Sequence, residues 1–241
     1  MLQYARRYAR DKKLGVMKML ASRSSRVLRP WQLAGIVAFL PHLLAVVMAT
    51  VQRPEFSHRL QYLSELGERG SVTATLTNYL GIIPTGILFA SFGLGLVLHY
   101  RAHRLLTIAG ALIILHGLCR VLAALFPCEF GCRPSSPTLS QMIHNSSATV
   151  AFVSLTASLF MAGPWLVANK RGAAIVAATY LLGLMAVAAQ VVLITSPAAS
   201  PGLFQRLALG ALQLWVTLLA LHLVGHARAG RNDASQETPS K

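Results

Sequence analysis

The sequence predicts an all-α fold: a polytopic membrane protein whose six transmembrane helices form one bundle. Six long apolar runs are separated by short polar loops, and 54% of the 241 residues are hydrophobic. A bilayer core requires about 20 consecutive apolar residues per helix, and irregular backbone cannot face lipid. A mean hydropathy of +0.55 also argues against one soluble domain.

Lys and Arg residues indicate which loops share a side of the membrane. Of the 22, nine precede Pro30, and with alternate loops and the C-terminal tail this side holds 16. Five lie on the opposite side, four of them in its loops, predicted at 52–76, 127–145 and 196–203, and the fifth is Arg206. This partition predicts a multi-pass protein of the cell inner (plasma) membrane with cytoplasmic N- and C-termini. A nucleic-acid partner is not expected despite the net charge of +15, because a DNA-binding surface would not follow alternate loops.

The chain divides into three segments. Residues 1–30 are a basic cytoplasmic segment, which forms either an interfacial helix on anionic lipid or a solvated orientation signal. Residues 31–226 form the six-helix membrane domain, and 227–241 are expected to be a disordered cytoplasmic tail. The first apolar run is longer than a usual signal-peptide core, which favours an uncleaved helix.

Each apolar run predicts one helix, and the predicted ranges are 31–51, 77–98, 105–126, 146–168, 173–195 and 204–225. In the second run Gly86 and Ala90 are four residues apart, a spacing that lets helices approach closely. Pro84 is expected to bend this helix and free a carbonyl group. In the fourth run Ser154 and Ser158 form a similar small-residue stripe.

The third run contains a charged residue, Arg120, six positions before its end, with His116 one turn deeper on the same helix face. Snorkelling could lift the guanidinium to the interface, but an unpaired charge deeper than that costs at least about 2.5 kcal/mol, so a partner is expected. We predict that Arg120 pairs with Glu65 or Glu129, the nearest acids by topology. A purely structural ion pair and a functional polar site both remain open.

Two polar stretches fall on the predicted outer side. One reads Leu-Ser-Glu-Leu-Gly at 63–67, and the other reads Phe-Pro-Cys-Glu-Phe-Gly-Cys at 126–132, followed by Thr138 and His144. The two stretches and the Thr138–His144 pair form three ordered motifs. In these motifs the chain resembles the family of small membrane proteins catalogued as domain of unknown function 998. Glu129 stands where that family more often has Asp. The resemblance covers about residues 31–225 and implies six helices and a shared outer site, but no reaction.

Cys128 and Cys132 are separated by three residues that include Gly131. On an oxidising face this spacing favours a disulfide, with free thiols or a metal site as alternatives. Zinc would need two further ligands, and His144 is the only imidazole nearby in sequence. A zinc site from His42, His116 and His144 lacks ligand-like spacing. No metal and no cofactor are therefore expected.

Ser64 and Glu65 allow two interpretations. Ser64 could be a nucleophile with His144 as its base and Glu65 or Glu129 as the orienting acid, although no Gly-x-Ser-x-Gly elbow surrounds it. Alternatively, Ser64 begins a short turn and Glu65 accepts hydrogen bonds from exposed backbone N–H groups.

The leading functional prediction is an outward-facing polar site that recognises a lipid headgroup or a membrane partner. Its predicted residues are Ser64, Glu65, Arg120, Glu129 and His144. The expected partners are membrane lipid and either a membrane protein or a second copy of the chain. One alternative is a lipid-directed hydrolase or transferase that uses Ser64 or Glu65 with His144, and another is a small transporter.

Overall fold

The computed structural model describes residues 29–196 and 200–236, with side chains to position 226, and this part of the chain contains helices and loops but no strand. Six segments are long and apolar enough to cross a membrane: Pro30–Gln52, Leu76–His99, Arg104–Leu125, Leu139–Ala168, Ala173–Thr195 and Pro201–His226. The predicted all-α class with six spans is therefore confirmed. Most of the predicted N-terminal segment lies outside the described residues.

The first span is interrupted. It consists of α1, Pro30–Val37, and α2, Leu40–Gln52, separated by a two-residue turn. The first N–H groups of a helix lack intrahelical partners. In α2 one of them is satisfied by another span, because the His42 N–H donates to Thr85 Oγ1 at 3.1 Å. This bond fixes the start of α2 against the second span.

The second span begins as a π-helix, Leu76–Ile82, and continues as α3, Ile83–His99. The π-helix lies just before Pro84 and ends where the Ile83 N–H donates to the Asn78 carbonyl. The third span is α4, Arg104–Leu125.

The second and third spans touch through their backbones. A Cβ atom added to Gly86 would lie 2.6 Å from the Gly117 carbonyl oxygen. One added to Gly117 would lie 3.1 Å from the Ala90 Cβ. The predicted small-residue surface at Gly86 and Ala90 therefore allows close helix contact.

The last three spans are α5, Leu139–Ala168, α6, Ala173–Thr195, and α7, Pro201–Gln236. Helix α5 begins seven residues before the predicted start, because Thr138 caps it by accepting the Gln141 N–H. His144 is consequently in the second turn of a helix and not in the preceding loop. Helix α7 continues past position 226, where the membrane domain was predicted to end.

The main core lies in the middle of the bundle, where Phe89, Phe92, Leu155, Leu159 and Trp215 are fully buried. The predicted stripe on α5 is buried there, and the hydroxyls of its two serines donate to carbonyls of their own helix. These serines therefore form a packing surface.

Two long loops, 53–75 and 126–138, meet at one end of the bundle, which we call the loop end. The Arg69 N–H donates to the Cys128 carbonyl at 2.8 Å and links the two loops. The Leu203 N–H donates to the Arg59 carbonyl at 3.1 Å, so the start of α7 joins the same assembly. The candidate site lies directly beneath these loops.

Candidate functional site

Arg120 is buried beneath the loops, with 8% of its surface exposed. Its Nη2 atom lies 3.1 Å from His42 Nδ1, and its Nε has no hydrogen-bond partner. Since the guanidinium can only donate, His42 Nδ1 accepts this bond and its ring proton is on Nε2. Arg120 therefore has a neutral imidazole as its partner.

The predicted ion pair of Arg120 with Glu65 or Glu129 is not formed. Among the described residues, the ion pairs join Arg53 with Glu55 and with Glu68. The two predicted acids are occupied by loop donors. Glu65 accepts from the Tyr62 N–H and from the Gln61 side-chain amide, each at 2.8 Å. Glu129 lies near the backbone N–H of Thr138, its acceptor oxygen 3.4 Å away.

His116 and His144 donate through Nδ1 to backbone carbonyls. The His116 bond to the Ala151 carbonyl is 2.7 Å long, and His116 Nε2 is buried without a partner. The His144 Nδ1 atom lies 2.9 Å from the Ala123 carbonyl and 3.1 Å from that of Phe126. Because carbonyl oxygens only accept, the Nε2 atom carries the lone pair in each neutral ring.

A cavity of about 430 Å³, which we call the polar cavity, joins these groups. Its polar lining includes His42, His116, Arg120, Arg133 and His144. No carboxylate is among its lining residues. Apolar side chains complete the wall, so the cavity combines positive charge with hydrophobic surface.

Ser64 also lines the polar cavity, together with Tyr62 and Leu63 from the same loop. These residues are held by a short 3₁₀ helix, Leu63–Gly67. The Arg133 guanidinium lies 4.5 Å above the Tyr62 ring and is positioned at the cavity by this cation–π contact.

Glu65 is the capping residue of that 3₁₀ helix, as the second interpretation of the Ser64-Glu65 pair predicted, although the helix begins at Leu63 and not at Ser64. Glu65 is 8% exposed, and burial raises the pKa of its carboxyl above the usual value. Its side chain is not among those lining the polar cavity.

Glu68 has a structural role that the sequence did not single out. Its Oε1 lies 3.5 Å from Arg53 Nη1, and its Oε2 accepts the Gly131 N–H at 2.6 Å. Only 4% of the residue is exposed, and burial raises the pKa of the carboxyl. Glu68 therefore connects the two long loops above the cavity.

Cys128 and Cys132 lie at disulfide-bonding distance, which agrees with the predicted pairing. Gly131 between them has a φ of +70°, a conformation that glycine adopts without strain. Gln141, fully buried at the start of α5, accepts the Glu129 N–H and donates to the Cys132 carbonyl. These bonds hold the cysteine loop over the polar cavity.

The structure brings Ser64, Arg120 and His144 to one cavity and leaves Glu65 and Glu129 outside its lining. The predicted nucleophile, base and acid do not form a triad, because His144 Nδ1 is bonded to backbone carbonyls. Within the described part of the chain, no three His, Cys, Asp or Glu side chains are grouped as metal ligands.

Sequence reasoning missed His42 as the partner of Arg120 and Arg133 as a cavity residue. Proline at position 41, next to His42, marked a helix start, and the N–H groups there require partners. Nothing in the sequence indicated that Arg133 would stack on Tyr62.

The six spans define a multi-pass membrane protein, and one end of its helical bundle contains a cavity lined by arginine and histidine side chains. The chain belongs to the family described as protein of unknown function (DUF998), whose model matches residues 33–222. The resemblance found in the loop motifs is thereby confirmed. No curated protein and no solved structure shows a match to the chain.

Proposed function

We propose that this membrane protein binds the anionic headgroup of a membrane lipid in the polar cavity. The observation that carries the proposal is the buried guanidinium of Arg120, which lines a cavity without a carboxylate and hydrogen-bonds to a neutral histidine. A buried charge without a counter-charge is unfavourable. A phosphate group would supply that charge and match the planar donors of arginine.

A lipid suits this cavity better than a soluble anion. Arg120 lies six residues before the C-cap of α4 at Phe126, which corresponds to a depth of about 9 Å. Apolar side chains such as Phe152, Leu193 and Leu209 share the lining with the charged groups. A ligand that carries an anionic group next to a hydrocarbon portion would complement both the charged and the apolar lining residues.

Binding can be tested in nanodiscs by native mass spectrometry with phosphatidylglycerol and phosphatidylcholine. We expect preferential binding of phosphatidylglycerol, and Arg120→Gln should weaken it about tenfold, equivalent to 1.4 kcal/mol. Arg120→Lys should retain part of the preference, since it keeps the charge but loses the planar donors. Arg101→Gln, at an exposed position in the Tyr100–His103 turn, is the matched control.

Equal binding of the two lipids, or equal effects of Arg120→Gln and Arg101→Gln, would refute the proposal. Retention of a co-purified protein in place of lipid would instead identify the membrane-partner alternative.

We further propose that the loop end faces away from the cytoplasm of the inner membrane, because alternate loops carry so few Lys and Arg residues. Cysteine at the exposed Arg69 should react with an impermeant thiol reagent in intact cells. Cysteine at Arg101 should react only after permeabilisation. Arg69 is preferred to the neighbouring Glu68 as the labelling site because only 4% of Glu68 is exposed. The reverse labelling pattern would overturn this orientation.

A second candidate is a lipid-directed hydrolase or transferase, because Ser64 and His144 line the same cavity. The Nδ1 bonds of His144 leave its Nε2 lone pair able to accept a proton. Glu65 is a poor nucleophile in this arrangement, since loop donors engage both of its oxygens. A fluorophosphonate probe should label the wild-type protein and not Ser64→Ala; absence of labelling in both would remove this candidate.

A further inference from the structure

A second cavity lies beside the polar cavity, between α2 and α7. Its volume is about 520 Å³, and we call it the α2–α7 groove. Leu43 and Val47 from α2 and Leu209 and Leu214 from α7 contribute apolar walls. Both helices belong to membrane spans, so hydrocarbon is the medium that an apolar surface here would meet.

The groove also contains nitrogen atoms without hydrogen-bond partners. His42 Nε2, Arg206 Nη2 and Gln213 Nε2 are buried, and each of these three side chains lines the groove. His42 is only 5% exposed. Unpaired donors in an apolar environment are costly, so the occupant should carry acceptor oxygens as well as hydrocarbon.

The groove and the polar cavity are continuous in their lining. His42, Leu63 and Leu209 contribute to both. His42 bonds to Arg120 through Nδ1, while its Nε2 has no partner. His42 thus lines both the cationic cavity and the apolar groove.

We infer that a single anionic glycerophospholipid occupies both cavities. Its phosphate lies at Arg120 in the polar cavity, its ester oxygens accept from His42 and the neighbouring groove donors, and one acyl chain fills the α2–α7 groove. This inference rests on the proposed headgroup function and adds the class of ligand: a phospholipid with an attached chain, in preference to free phosphate or a soluble phosphoester.

The path of the chain can be tested by photolabelling. The probe is phosphatidylglycerol with a diazirine on one acyl chain, at trace level in phosphatidylcholine nanodiscs, compared with a phosphatidylcholine probe carrying the same chain. We expect the anionic probe to label residues 39–47 and 209–217 several-fold more than the zwitterionic probe does. Arg120→Gln should abolish this excess although it alters no residue of the groove lining.

Two glycines of α7 provide a matched pair of variants. A Cβ atom on Gly210 or on Gly225 would meet nothing within 4 Å, so a side chain can leave the backbone at either site. Only Gly210 lines the groove. Gly210→Trp should reduce labelling of the groove and binding of long-chain phosphatidylglycerol, while binding of soluble glycerol phosphate is unchanged. Gly225→Trp should match the wild-type protein in all three measurements.

Several outcomes would overturn the inference and leave the headgroup function intact. One is equal behaviour of Gly210→Trp and Gly225→Trp. Another is binding of glycerol phosphate as tight as that of phosphatidylglycerol, since the chain would then contribute nothing. Persistence of the labelling excess in Arg120→Gln would mean that Arg206 holds a separate lipid. Equal labelling by both probes together with equal binding of both lipids would refute the headgroup function itself.

Discussion

The two ends of the bundle each contain an arginine and histidines, but they support the charge differently. At the end opposite the loop end, the Arg171 guanidinium lies 4.8 Å over the Trp165 ring, and His103 packs edge-on against that ring at 5.7 Å. At the loop end, Arg120 is buried beside a cavity with His42 as its hydrogen-bond partner.

This difference shows that the surroundings of an arginine are more informative than its presence. An aromatic face stabilises a cation without needing a ligand. All four acids of the membrane domain lie at the loop end: Glu55, Glu65, Glu68 and Glu129. None of them pairs with Arg120, and three accept hydrogen bonds from backbone N–H groups of the loops. Among the described residues, neither Arg120 nor Arg171 has an acid as its partner, so the two ends differ in what surrounds the charge: an aromatic ring at Arg171 and a cavity at Arg120.

The strongest test of this difference between the two ends is a double-mutant cycle on Arg120→Leu and His42→Leu. We expect a coupling free energy of about 1–3 kcal/mol, since the two side chains share a buried hydrogen bond. Arg120→Leu and Glu65→Gln should be additive within about 0.5 kcal/mol, because these residues are not in contact. The measurement is thermal unfolding in phosphatidylcholine nanodiscs.

Arg171→Leu serves as the control at the opposite end and should have a smaller effect than Arg120→Leu. Coupling of Arg120 to Glu65 without coupling to His42 would reverse our assignment of its partner.

The Cys128–Cys132 pair allows a test of whether a disulfide stabilises the loop end. We expect non-reducing peptide mapping to recover a Cys128–Cys132 cross-link. Its reduction should destabilise the protein by about 2 kcal/mol, the value that chain entropy gives for so short a loop. Cys119→Ser should match the wild-type protein, since Cys119 is a free thiol. Two alkylatable thiols at 128 and 132 in freshly isolated oxidised membranes would contradict the prediction.

The smallest expected effect is a pH dependence that arises at the loop end. Burial raises the pKa values of Glu65 and Glu68 above 4.5, so the folded protein holds these protons more tightly than the unfolded chain does. Their contribution to stability is therefore greatest below the unfolded pKa and declines as pH rises through the folded pKa values.

Unfolding midpoints between about pH 4 and pH 8 should show this decline, and Glu65→Gln should reduce it. Glu55→Gln should not reduce it, because the hydrogen bonds of Glu55 hold its pKa below the usual value and give the opposite sign. A decline that is identical in wild type and Glu65→Gln would exclude Glu65 as its source.

The six spans could be predicted from sequence because hydropathy depends only on local composition. The start of α5 could not be placed in this way. Residues 139–145 are mostly polar, so the apolar run begins only after them, whereas the structure starts the helix at the Thr138 cap. This polar stretch carries His144, in the second turn of α5, and therefore matters for the cavity.

The candidate site was predicted in part. Burial of Arg120 and His116 on one helix face followed from their spacing of four residues, and both line the polar cavity. The partner of Arg120 did not follow, because His42 is 78 residues away and their contact depends on how the first and third spans pack. Charge alone predicted Glu65 or Glu129 as the partner of Arg120. In the structure these two carboxylates accept hydrogen bonds from backbone N–H groups of the loops.

The π-helix before Pro84 has a consequence for chain length. In a regular α-helix, residues seven apart such as Asn78 and Thr85 share one face. Here the wide turn absorbs one extra residue, and the two side chains reach different elements: the Asn78 amide donates to the Gly67 carbonyl, whereas Thr85 Oγ1 accepts the His42 N–H. Deleting a single residue between them would turn one of these contacts away. The number of residues in this segment is therefore as much a part of the site's architecture as the identity of any one of them.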